Sequence, residues 1–141
     1  MLSRAFQPPF SALPPLPARR IATTADAHAL FAPLVTAPRE MVAFAYLDPE
    51  WMLLGLRHSD QGELDRVDLI PQDVVRDAIA FNAAAVVMAH NHPSGDPTPS
   101  IADRNATARL GRALDTIGVK LIEHLIIAAG GTTSFRETGW L

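Results

Sequence analysis

The chain of 141 residues contains no cysteine. That excludes thiol catalysis, disulfide staples, zinc sites built on cysteine and redox switching. It fits a reducing compartment, and the cytoplasm is the expected location. No apolar run approaches the roughly 18 residues needed to cross a bilayer, so no membrane partner is expected. A basic excess is missing too: the formal net charge is −3 and the pI ≈ 5.9. Dedicated nucleic-acid binders usually carry a basic patch or a basic pI. Arg104, Arg109 and Arg112 make only one small basic helix face, ordinary for a solvated surface. Nucleic acid is therefore not an expected partner. No internal repeat is evident.

What is present fits a globular protein, with 48% hydrophobic and 19% charged residues. The length favours one domain able to bury a core without cross-links. Residues 1–22 hold Arg4, Arg19, Arg20 and five prolines, at 8, 9, 14, 15 and 17, but no acidic residue and no continuous hydrophobic core. That is not a secretory signal, and the prolines oppose the amphipathic helix of a transit peptide. The segment reads as a flexible proline-rich lead-in to one domain over residues 23–141.

Thr23 or Thr24 can cap a helix running through Ala27, Leu30, Phe31 and Leu34, ended by Pro38. Met41–Leu47 has strand character, with Val42, Phe44 and Tyr46 on one face. A turn at Asp48-Pro49-Glu50 leads into a returning strand over Trp51–Arg57, making a hairpin. Arg66–Ile70 reads as a third short strand. Pro71 suits a helix start with Asp73 in its first turn, and Val74, Val75, Ala78 and Ile79 repeat at helical spacing. Ala83–Ala89 is short and wholly apolar, as in a strand covered on both faces. After a Pro/Gly-rich loop, Ala102, Ala106, Leu110, Ala113 and Ile117 form the buried stripe of a second long helix, ended by Gly118. Val119–Ala128 is the next strand, Gly130-Gly131 a tight turn and Thr133–Phe135 a last short strand. This mixture predicts an α/β sandwich with a mixed sheet flanked by helices.

The stretch from His90-Asn91-His92-Pro93 to Ser100-Ile101-Ala102-Asp103 carries the chemistry. Side chains two apart on an extended backbone point the same way, so His90 and His92 can converge where the strand of Ala83–Ala89 runs out into a loop. Two imidazoles and a carboxylate give the open three-ligand set of a catalytic zinc. Such an ion brings the pKa of its water toward about 7. Plainer readings stand beside this one. A lone histidine is more often structural than a ligand, and Ser100-x-x-Asp103 before an amphipathic run is close to a helix-capping box. Both roles are compatible at one helix start.

His-x-His-Pro, six residues, then Ser-x-x-Asp resembles the signature of the JAMM (JAB/MPN) metalloenzymes. His-Asn-His-Pro-Ser-Gly resembles their bacterial RadC group. Glu40, Asn82-Ala83, the segment 118–127, Ser134-Phe135 and Gly139 extend the resemblance over roughly residues 25–141. It implies an MPN-like (cytidine-deaminase-like) sandwich, with His90, His92 and Asp103 as zinc ligands. It also implies Glu40 as general base and Ser100 as hydrogen-bond donor to the water or the oxyanion. Glu63 is the next candidate base. The implied activity is a zinc-dependent metallopeptidase or isopeptidase acting on a peptide or isopeptide-linked protein.

Two departures from the group matter. Its longer members carry a helical, nucleic-acid-binding-like portion where this sequence has a proline-rich lead-in, so DNA-linked roles are not expected here. Glu123-His124 also replaces the group's Asp-His pair. His124 shares a predicted strand face with Ile122 and Ile126, which favours a core histidine over a fourth ligand. Competing readings are a DNA-repair-associated RadC-type module and a non-catalytic MPN interaction domain. An HNH nuclease is disfavoured because its motif is spread out, whereas these letters are contiguous. A zinc deaminase lacks its His-x-Glu and Pro-Cys-x-x-Cys ligands here.

Overall fold

The structure, a computed structural model, describes residues 11–12, 18–59 and 69–141. Six strands among them form one mixed sheet: β1 (Ser11–Ala12), β2 (Val42–Leu47), β3 (Leu53–Ser59), β4 (Ala85–Asn91), β5 (Lys120–Ala128) and β6 (Gly131–Ser134). Their spatial order is β1-β3-β2-β4-β5-β6, with β4 and β5 parallel and every other neighbouring pair antiparallel. Among the described residues the α-helices are α1 (Thr24–Phe31), followed by a 3-10 turn (Ala32–Thr36), α2 (Leu69–Phe81), α3 (Ile101–Asp115) and α4 (Phe135–Thr138). This is the predicted mixed sheet flanked by helices.

The sheet separates two apolar cores. Val42, Phe44, Tyr46, Val86, Met88 and Leu121 face α2 and α3. Ala43, Ala45, Leu47, Val87, Ala89 and Leu125 meet Ile21 together with Ala27 and Phe31 of α1. Alternation along β2 follows the expected face, and both faces are buried because the strand is central. Backbone pairing begins ahead of the Thr23 expected from sequence: Leu53 N–H donates to Arg19 at 2.8 Å and Ile21 N–H to Trp51 at 2.8 Å. Thr23 is the α1 cap, in a capping box with Asp26.

Several expectations are corrected. Arg66–Ile70 is not a strand where it is described, since Leu69 and Ile70 open α2; residues 66–68 and Glu63 lie outside the described residues. Pro71 still sits in the first turn, where its missing N–H has no partner to lose. Asp73 lies beyond that turn and is buried, as is Asp77, while Ile79 is exposed. The inward stripe of α3 is Asp103, Ala106, Thr107, Leu110 and Leu114. Ala106 and Leu110 face inward as expected, but Ala102 and Ile117 are exposed and Ala113 is half-buried. Two polar residues face inward instead. β4 continues to Asn91, past the Ala89 limit that hydropathy sets, and Phe135 opens α4 rather than closing a strand.

One irregularity fixes where β5 sends its side chains. Val86 is level with Leu121, but Val87 is level with Glu123, so Ile122 is an extra residue on β5. Leu121 faces α2 and α3, whereas Ile122 packs toward α1. Glu123 points to the α1 side and His124, level with Met88, to the side of His90. The predicted shared face of Ile122 and His124 does not exist, because regular alternation breaks there. Glu123 is buried and gathers four donors. They are Thr24 Oγ1 at 2.9 Å, Ser134 Oγ at 2.7 Å, His124 N–H at 2.9 Å and Arg136 N–H at 3.2 Å. One carboxylate thereby joins the starts of α1 and α4 to β5.

Glu123→Ala strands buried donors, each costing ~1–3 kcal/mol, and is expected to lower unfolding free energy by at least ~3 kcal/mol. Glu123→Gln is expected to cost less, because its carbonyl keeps the two backbone N–H groups and the Thr24 and Ser134 hydroxyls can turn to accept from its amide. Denaturant unfolding of the two variants checks this. Equal stabilities for Glu123→Ala and the parent chain would remove the anchor.

Candidate metal centre

His90 and Val42 stand opposite each other on β4 and β2. Continuing that antiparallel register outward puts residue 40 level with residue 92. The even-numbered side chains of both strands face α3, so Glu40 and His92 extend the row made by Val42 and His90. Asp103 enters the same space from the first turn of α3. Glu40, His90, His92 and Asp103 each offer one ligand atom, and these atoms lie within 4.8 Å of one another. Such a group could hold a metal ion.

The geometry assigns the four residues different positions. The Nε2 atoms of His90 and His92 are 3.0 Å apart. Asp103 divides its oxygens between them, Oδ1 lying 3.3 Å from His90 Nε2 and Oδ2 3.2 Å from His92 Nε2. Glu40 Oε1 stands further back, 3.8 Å from His90 Nε2, with a side chain 39% exposed. His90, expected at the mouth of a loop, is instead completely buried within β4. His92 is the first residue past the strand and reaches solvent. An open cleft beside it is lined by Glu40, His92, Pro93, Ser94, Ser100 and Ala102.

Each site residue is held by hydrogen bonds of its neighbours. Ser100 and Asp103 form the predicted capping box: Asp103 N–H donates to Ser100 Oγ at 2.9 Å, and Ser100 N–H to Asp103 Oδ2 at 2.8 Å. Burial disfavours the ionised Asp103 carboxyl, while the hydrogen bond from the Ser100 amide favours it. His92 Nδ1 lies 2.8 Å from the Asp96 carbonyl, which can only accept. The ring proton therefore sits on Nδ1 and leaves Nε2 of the neutral ring bare toward the cluster. The loop that supplies this carbonyl is pinned from the β5–β6 turn and from β6. Gly130 N–H donates to Gly95 O at 2.9 Å and Thr133 Oγ1 to Pro97 O at 2.7 Å. A Cβ at Gly130 would collide with Gly95 O, so only glycine allows this approach.

Sequence reasoning missed three residues. Asn91, buried between the two histidines, points to the opposite side. Its Oδ1 accepts from Met41 N–H at 2.6 Å and its Nδ2 donates to Arg39 O at 2.9 Å. It thus fixes the backbone on both sides of Glu40. His124 is buried as expected, but it is more than core filling. Its Nε2 lies 2.7 Å from His90 Nδ1 and its Nδ1 lies 2.6 Å from Thr107 Oγ1. Burial and the nearby histidines hold its pKa well below the ordinary value. Thr107 is the third, and a signal for it existed: it lies four residues after Asp103, on the same helix face.

No described helix is long and apolar enough to cross a membrane. Comparison with known proteins agrees with the residues assembled here. Residues 21–140 match the RadC-like JAB domain. The chain is 42% identical over 106 residues to a UPF0758 protein of Burkholderia mallei (strain SAVP1), covering 75% of this chain and 38% of that protein. It is 43% identical over 104 residues to a UPF0758 protein of Xylella fastidiosa (strain 9a5c), covering 74% of this chain and 46% of that one. A UPF0758 protein of Pseudomonas fluorescens (strain SBW25) is 40% identical over 104 residues, with the same coverage, 74% and 46%. The chain thus spans less than half the length of these curated relatives. With 120 of its 141 residues inside the matched domain, the chain belongs to the RadC-like JAB domain family.

Proposed function

We propose that this protein is a zinc-dependent hydrolase of amide bonds, acting on a peptide or an isopeptide-linked protein. The convergence of Glu40, His90, His92 and Asp103 carries this reading. Two imidazole nitrogens and one carboxylate form the donor set of a catalytic zinc site, and three protein ligands leave room for a fourth. Calcium and magnesium prefer all-oxygen sets, and thiolate-seeking metals find no cysteine here. His90, His92 and Asp103 would hold the ion. Zinc, when bound, supplies Lewis acidity that brings the pKa of water toward about 7.

The chain's own residues supply the remaining parts. Glu40 sits outside the tight triangle and opens to the cleft, a position suited to a proton acceptor rather than a ligand. It would take the proton from the attacking water and return it to the leaving amine. The capping box uses Ser100 Oγ as an acceptor, which leaves the hydroxyl proton free to be donated toward the substrate's carbonyl oxygen as negative charge develops there. A non-catalytic module would have no use for a carboxylate held at this distance by its flanking backbone. A DNA-binding role finds little support in the arginines, since Arg104 stacks on Trp140 at 4.0 Å.

Purified protein is expected to hold about one zinc per chain, and His92→Ala to lose most of it. Elemental analysis reads both. A fully stable parent protein that contains no metal, from a preparation never exposed to chelator, would sink the site.

Glu40→Gln is expected to keep its zinc and lose at least ~10²-fold in turnover, the usual worth of a general base. A panel of peptide and isopeptide-linked substrates reads this, and unchanged turnover would deny Glu40 the role of base.

Ser100 separates capping from catalysis. Ser100→Asp keeps an acceptor for the first-turn amides but has no proton to donate once ionised. It is expected to retain fold and zinc while losing ~10²–10³ in rate. Full activity in Ser100→Asp would reduce Ser100 to a helix cap.

A further inference from the structure

Behind the metal centre, a line of hydrogen bonds runs from the Asp103 backbone through the buried side chains of Thr107, His124 and His90. Thr107 Oγ1 lies 2.7 Å from the Asp103 carbonyl and 2.6 Å from His124 Nδ1; His124 Nε2 lies 2.7 Å from His90 Nδ1. Thr107, His124 and His90 are all buried, so water does not exchange into the line. A hydroxyl has one proton and an imidazole has two nitrogens, and the positions of the protons follow from counting.

The Asp103 carbonyl has no proton to give. At 2.7 Å the hydroxyl proton of Thr107 must therefore lie between the two oxygens. Thr107 then has only lone pairs to offer His124, so the His124 proton sits on Nδ1. The Nε2 atom of a neutral His124 is left bare, and it can only accept from His90. The His90 proton sits on Nδ1 in turn, and His90 Nε2 is left bare toward His92 and Asp103. We infer that Thr107, acting through His124, is a positioning residue that sets the tautomer of His90 so that its Nε2 faces the metal site as a lone pair. The inference rests on the reading of His90 as a ligand. It adds that the ligand state is dictated from the buried side of the helix by a residue that touches no metal or substrate. With the Asp96 carbonyl setting the same tautomer in His92, two lone pairs and a carboxylate face one another with no proton to share. A cation relieves that arrangement.

Reversing one link reverses all of them. In Thr107→Val the shape of the side chain is kept but the acceptor is lost. His124 must then either bury an unpaired N–H or move its proton to Nε2. The second choice forces His90 to accept at Nδ1 and to carry its proton on Nε2, at the ligand position. Zinc binding has to undo that arrangement, and losing an outer partner of a ligating histidine typically weakens metal affinity by 10–100-fold.

The test joins affinity to a direct view of the protons. Zinc affinity is measured by chelator competition on the parent protein, Thr107→Val and Thr107→Ser. Ring nitrogens of His90 and His124 are read by long-range ¹H–¹⁵N correlation in metal-free and zinc-loaded protein. The expected results are a proton on Nδ1 of both rings in the parent, ~10–100-fold weaker zinc binding in Thr107→Val, and parent-like binding in Thr107→Ser. Near-parental unfolding midpoints in Thr107→Val show that the loss is not one of folding. If that variant does not fold, the His124 proton position in the parent and in Thr107→Ser decides alone. A parent His124 with its proton on Nε2 overturns the inference, as does a folded Thr107→Val that binds zinc like the parent. If the parent takes up no zinc, the ligand reading fails, whereas the proton on His124 still stands or falls by itself.

Discussion

Val42 of β2 lies opposite His90 of β4, and both faces of these two strands are buried. A slip of one residue would exchange the contents of the two cores, so the register is held by the whole hydrophobic interior. That is how an apolar sheet positions a polar site. Every residue from Ala43 to Leu47 that finds its proper face helps to bring residue 40 level with residue 92. The site then needs only one more element, the N-terminus of α3, whose first turn is closed by the Ser100–Asp103 box. The capping box holds the Asp103 carboxylate beside His90 and His92, so the device that starts the helix also fixes one corner of the candidate site.

Around this register the interior carries an unusual load of polar groups, yet those nearest the site are satisfied. Asn91 serves the backbone on both sides of Glu40, His124 links Thr107 to His90, and Glu123 collects four donors. Polar networks of this kind are costly when partly satisfied and rigid when complete. Such rigidity holds the triangle of His90, His92 and Asp103 with its 3.0–3.3 Å edges. Exposure is graded across it, from a completely buried His90 to a Glu40 open to the cleft.

The sequence was most legible where one physical demand acted alone. Hydrophobic alternation located β2, and Gly, Pro and Asp clusters located the turns. The spacing of His90, His92, Ser100 and Asp103 named four residues that the fold does bring to one place. It was misleading where two demands overlapped. Ala102 and Ile117 suggest burial because they are apolar, while the inward positions belong to Asp103 and Thr107, which meet His90 and His124. Hydropathy places the end of β4 two residues early because His90 and Asn91 are polar, although both are buried. Arg66–Ile70 looked like a strand from a few branched side chains, yet Leu69 and Ile70 open a helix. Glu40 could be proposed only by resemblance; its place becomes a physical statement once the register of β2 on β4 is known.

The extra residue at Ile122 has a further consequence. From there on, the even residues of β5 face α3 where an unbroken strand would turn the odd ones to it, and everything downstream inherits the change of parity. Pairing Ile122 in ordinary alternation, with no irregularity, would not simply straighten the strand. It would send His124 toward α1 and Glu123 toward His90, putting an imidazole among the donors that want an anion and an anion behind a ring that wants an acceptor. The rear of the metal centre and the anchor of two helices are therefore written in the same reading frame, and one misplaced count would exchange them.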